Sequence, residues 1–93
     1  MLEMQIVLHG QVQNVSYHYS IINYVDQAHL IIRGFIENLP NGTLKIVAQG
    51  DIESLKDLRR FIVTGAHQTF IRDTEEVMSV IKEFTYNDFS IKY

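Results

Sequence analysis

The stretch His9-Gly10-Gln11-Val12-Gln13-Asn14-Val15-Ser16-Tyr17-His18 decides the fold, because the hydrophobic period changes across it. Before it, Met4, Ile6 and Leu8 alternate with Gln5, Val7 and His9, the period of a strand buried on one side. After it, Tyr17, Ile21, Tyr24, Val25 and Ala28 recur at three and four residues, which places them on one face of a helix. A short loop between a strand and a helix can aim backbone N–H groups and the positive end of the helix at an anion. The stretch contains no Arg or Lys, so His18 is the nearest thing to a cation that such a cradle would have.

Working outward, Ile31 to Glu37 is β-branched and aromatic, Leu39-Pro40-Asn41-Gly42 breaks that run, and Thr43 to Gln49 alternates again. Pro followed by Asn-Gly between two strand patterns signals a hairpin, since Asn and Gly tolerate the positive φ of a tight reversal. Gly50-Asp51 opens a second helix: Asp51 can cap it, Leu55, Leu58, Phe61 and Ile62 form its buried stripe, and Gly65 suits its left-handed stop. From Thr69 the pattern is harder to read, and Phe70, Ile71, Val77, Val80, Ile81 and Phe84 keep no clean period. Phe89, Ile91 and Tyr93 alternate with Ser90 and Lys92 as a short final strand. The order strand, helix, strand, hairpin, strand, helix, strand, strand predicts an α+β fold. Its form is a ferredoxin-like two-layer sandwich, with two helices on one face of a mostly antiparallel sheet of four to five strands.

A length of 93 residues fits one domain spanning residues 1–93. The net charge of −3 gives no general attraction to nucleic acid or an anionic membrane, so neither is expected as a partner. Any anion must be held by local geometry against a mildly unfavourable field. The absence of cysteine removes disulfides, thiolate metal sites and Cys nucleophiles. With no signal peptide or long apolar span in view, the expectation is a cytoplasmic protein, and a monomer.

The loop Gly10-Gln11-Val12-Gln13-Asn14-Val15-Ser16-Tyr17 resembles the acylphosphatase signature Gly-x-Val-Gln-Gly-Val-x-Phe-Arg. Gly34-Phe35-Ile36-Glu37-Asn38, followed by Gly42-Thr43-Leu44, is similar to the second signature, Gly-Trp/Tyr-Val-x-Asn, a turn, then Gly-x-Val. Gln49-Gly50 before the second helix and the ending Asn87-Asp88-Phe89-Ser90-Ile91-Lys92-Tyr93 also fit, so the resemblance spans nearly the whole chain. It implies hydrolysis of the carboxyl-phosphate bond of acyl phosphates without metal, cofactor or covalent intermediate. The ligands it implies are a small acyl phosphate, or inorganic phosphate or sulfate. The leaving group is already good, so the protein supplies positioning and charge stabilisation. Carried over by position, the resemblance makes Gln13, Asn14, Val15, Ser16, Tyr17 and His18 the phosphate-binding loop and Asn38 the residue that positions the attacking water.

Two departures bear on activity. Counted from Gly10, the signature Arg falls on His18, while counting back from Asn38 the chain is two residues longer than the usual pattern. Guanidinium offers a fixed fork and a permanent charge, whereas imidazole offers one donor and is mostly neutral near pH 7. Losing such a clamp costs about 3 kcal/mol, or on the order of a hundredfold in rate. The signature's loop Gly is Asn14, a mild change because Asn also visits left-handed conformations; Gly65-Ala66 stands where the family has Gly-Pro.

Each pointed reading has a plainer counterpart. The loop could connect strand and helix without binding anything, Asn38 could cap the following turn, and His18 could be a solvated first-turn residue. His9, His18, His29 and His67 have no metal-ligand spacing, so no metal is expected. Tyr17, Tyr19 and Tyr24 read as core and helix surface, and Arg59-Arg60 as the solvated face of the second helix. Two functions remain open: an impaired acylphosphatase with His18 and Asn38 as catalytic residues, or a non-catalytic anion-binding or interaction module that keeps only the fold.

Overall fold

The computed structural model describes residues 1–64 and 70–92. Its elements run β1 (Leu2–Gly10), α1 (Val15–Gln27), β2 (Arg33–Asn38), β3 (Leu44–Gly50), α2 (Ile52–Thr64), β4 (Ile71–Val80) and β5 (Phe89–Lys92). The five strands form one sheet in the order β4-β1-β3-β2-β5. Every pair is antiparallel except β2 with β5. The predicted two-layer α+β sandwich is present, with five strands. Gly65, Ala66, His67, Thr69 and Tyr93 lie outside the described residues, so the expected helix stop, the Gly-Ala pair and the last alternating position are not part of this description.

The period-2 face of β1 buries Met4, Ile6 and Leu8, which pair in register with Ala48, Ile46 and Leu44 of β3. Ile36 of β2 continues the same face. Tyr17, Ile21 and Val25 of α1 and Leu55, Leu58 and Ile62 of α2 close over it as one core. Phe61, expected in the buried stripe, is only partly buried at the edge of the core, where it stacks on Tyr24 of α1 with ring centroids 4.2 Å apart.

Helix boundaries follow their capping residues. Asp51 sits before α2, its carbonyl accepts from the Leu55 N–H, and its carboxylate pKa is lowered by hydrogen bonds from Ser54 and nearby backbone N–H groups. Helix α1 ends with His29 at φ 55° and the Leu30 N–H donating back to the Val25 carbonyl. The hairpin between β2 and β3 turns at Gly42, with φ +89°, and closes through Leu39 N–H to Thr43 O at 2.9 Å.

β4 and β5 occupy opposite edges of the sheet, so residues 81–88 must cross its other face. Gln49 anchors that crossing strap. Its amide donates to Glu3 at 2.9 Å and to the Thr85 hydroxyl at 2.8 Å, and its oxygen accepts from the Thr85 N–H at 2.8 Å. Arg33 lies over the Phe84 ring and Phe35 meets Tyr86 edge-on, extending the hold along the strap. Arg59 is not simply a solvated residue of α2: it makes a bidentate pair with Glu76 of β4.

Candidate anion site

Three pieces of chain converge at one end of the sandwich. The first is the turn out of β1. Its register shifts at His9/Gly10, and Gly10 takes φ +129° against the neighbouring strand. A Cβ there would lie 2.1 Å from the Phe70 carbonyl oxygen, so only glycine lets the backbone pass. The Gln11 N–H then donates to that carbonyl at 2.9 Å. Val12 is buried, and Gln13 reaches across to the second piece, the β2–β3 hairpin, donating to Leu39 O at 2.8 Å and Thr43 O at 3.0 Å. The loop is thereby braced against the end of the strand that carries Asn38.

Loop amides divide into two groups. The N–H groups of Tyr17 and His18 turn inward to the Asn14 carbonyl, at 3.1 and 3.2 Å, as the first turn of α1. The Ser16 N–H is taken by the Asn14 side-chain oxygen at 2.7 Å. The N–H groups of Gln13, Asn14 and Val15 have no acceptor among the described residues. They form a row at the positive end of a helix with no acidic residue in its first turn, the arrangement suited to an anion. Asn14 is extended, at φ −76° and ψ 127°, so the left-handed tolerance expected of it is not used; it serves as N-cap instead.

His18 is not a solvated first-turn residue. It is 2% exposed, and its Nε2 lies 3.1 Å from the Val12 carbonyl, a bond that closes the loop on itself when that nitrogen carries the proton. His18 and Asn38 nevertheless line one pocket of about 300 Å³, with Val15, Glu37, Ile91 and Lys92. The two extra residues counted between His18 and Asn38 thus do not keep these side chains apart. On its other side the loop borders a second depression, lined by Gln11, Gln13, Asn14, Tyr17 and Phe70. Burial pushes the Tyr17 hydroxyl up to about 12. Ser16 is exposed. Among the described residues no three His, Asp or Glu side chains gather as for a metal: His9 pairs with Glu75 of β4, and His29 sits at the far end of α1.

Sequence reasoning missed three features of this site: the Gln13 side-chain brace, the bond from His18 to Val12, and the presence of Glu37 and Lys92. The first had a signal, since the motif contains Gln at that position. The His18–Val12 bond is local but depends on which way the ring turns, and the Glu37 and Lys92 lining depends on contact between distant segments.

The acylphosphatase family model matches residues 4–91. The chain belongs to the acylphosphatase family. It is 40% identical over 82 residues to the acylphosphatase of Caldanaerobacter subterraneus subsp. tengcongensis, covering 88% of each chain. It is 35% identical to that of Ligilactobacillus salivarius over the full length of both. The crystal structure of acylphosphatase from Bacillus subtilis superposes with a TM-score of 0.84 at 26% identity, covering 100% of both chains. The acylphosphatase fold is therefore present throughout the described residues, and the family is one that acts on acyl phosphates. No helix among the described residues is long and apolar enough to cross a membrane.

Proposed function

We propose that this protein hydrolyses the carboxyl-phosphate bond of small acyl phosphates, slowly, because His18 stands at the position of the signature Arg. The N–H groups of Gln13, Asn14 and Val15, which have no acceptor among the described residues, carry the reading: they belong to the signature loop of a member of this family, and Val15 lines a pocket with His18 and Asn38. In this reading the loop N–H groups donate to the phosphoryl oxygens, and the Asn38 carboxamide orients a water. That water forms a bond to phosphorus as the bond from phosphorus to the acyl oxygen breaks. The carboxylate leaves with the electron pair, and the water's protons pass to the phosphate product and solvent. His18 adds rigidity rather than a guanidinium fork, since its ring is committed to the Val12 carbonyl. The reading takes the protein as a cytoplasmic, monomeric single domain that needs neither metal nor cofactor.

A second reading, an anion-binding module without turnover, draws support from His18, whose ring is held on the Val12 carbonyl and so does not form the signature clamp. Turnover of acetyl phosphate separates the two. His18→Arg should raise the rate by roughly a hundredfold, the inverse of losing one transition-state clamp. Asn38→Ala added to that variant should remove the gain. A folded His18→Arg protein with no more activity than the parent would favour the binding module.

A further inference from the structure

The pocket between His18 and Asn38 contains a cation that is not on the loop. It opens past the ends of β2 and β5, so both faces of the sheet contribute to its lining. Asn38 and Ile91 share the core-side parity of Ile36, whereas Glu37 and Lys92 are register partners of the opposite parity. Among the described residues that line the pocket, Lys92 alone carries a positive charge. Its ammonium is loosely held, 3.9 Å from a Glu37 carboxylate oxygen and 4.8 Å from the centroid of the Phe35 ring, with 58% of the side chain accessible. An exposed pair at that separation contributes little, and a lysine stem is long and freely rotating. β5 is an edge strand, so no further strand bars the stem from turning toward the pocket.

We propose that Lys92 is the phosphate-binding cation of this site. When a phosphoryl group lies on the loop, the ammonium leaves Glu37 and Phe35 and donates to the phosphoryl oxygens. This supplies a charge on a freely turning stem, whereas the His18 ring is buried and held on the Val12 carbonyl, in a molecule whose net charge of −3 offers no attraction of its own. Glu37 competes for that ammonium and repels the ligand, so it sets the affinity from the opposite direction. The inference rests on reading the pocket as a phosphoryl site, and the test separates the two.

Inorganic phosphate is titrated into the full chain at low ionic strength, with binding followed by calorimetry and by amide shifts of Gln13 to Val15. Lys92→Met should weaken binding roughly fivefold to tenfold and flatten its salt dependence, while Lys92→Arg should stay within about twofold of the parent. Glu37→Gln should tighten binding several-fold, a gain that damage to folding would not produce. Equal affinity in the parent and Lys92→Met would overturn the role of Lys92 and leave the loop reading standing. No binding to the parent or to Glu37→Gln at tens of millimolar phosphate would overturn both.

Discussion

The side-chain oxygen of Asn14 lies where an anion's oxygen could otherwise accept, 2.7 Å from the Ser16 N–H. In the proposed site, a phosphate oxygen that took the Ser16 N–H as well would displace a hydrogen bond that the protein makes with itself. Asn14→Gly removes this competitor and, since Gly is a tolerable N-cap, costs only a few tenths of a kcal/mol. We expect a Tm lower by about 1–3 °C and a phosphate affinity higher by a few-fold, checked by thermal unfolding and titration of the same samples. Tyr17 makes a second residue-scale prediction. Its hydroxyl ionises at about 12 in the fold against 10.0 in a free side chain, so between those values the unfolded chain holds fewer protons than the native one. Stability falls as pH rises through that window, by as much as about 2–3 kcal/mol, and is unaffected by this group below it. Urea unfolding at pH 9 and pH 11.5 should show a smaller alkaline loss in Tyr17→Phe than in the parent. Loop, Asn38 and the position of His18 were all legible in the sequence, because the motif is contiguous and the strand parity of Asn38 can be counted. The engagement of His18 with Val12 was not legible, because a buried imidazole on a carbonyl and a solvated one leave the same trace in a sequence.

Among the elements, the strap at 81–88 depends on one buried amide. Gln49→Leu roughly keeps the volume but leaves the Thr85 N–H without its acceptor and Glu3 with Gln5 alone of its two side-chain donors. This should cost about 2–3 kcal/mol, read as a lower urea midpoint at unchanged m-value, with faster hydrogen exchange at Thr85. β1, α1 and α2 were readable because each buries one regular stripe, and the hairpin because Pro40-Asn41-Gly42 marks its turn, although β3 is buried on both faces. β4 was not. Its core-side positions, opposite Leu8, Ile6, Met4 and Leu2, are filled by Thr74, Glu76, Met78 and Val80. Glu76 is tolerated there because it meets Arg59 at the margin of the helix layer, while Val77 is 64% exposed on the opposite parity. An edge strand that places a carboxylate toward the core side and a valine away from it has no period to detect.

For the molecule as a whole, the pocket proposed to take the phosphoryl group draws Val15 and His18 from the start of α1, Asn38 from a strand end and Lys92 from β5, which only the finished sheet brings together. The sandwich itself could be inferred from element order, because few arrangements bury two amphipathic helices on a sheet of this connectivity. The strand order has a further effect during synthesis. β1 takes a central place between β3 and β4, with Leu2 opposite both Gly50 and Val80. Leu2 must wait until Val80 has been translated before both of its backbone edges are paired. Such long-range closure slows folding. A nascent chain stopped short of β4 would expose one backbone edge of a core strand to any other chain able to pair with it.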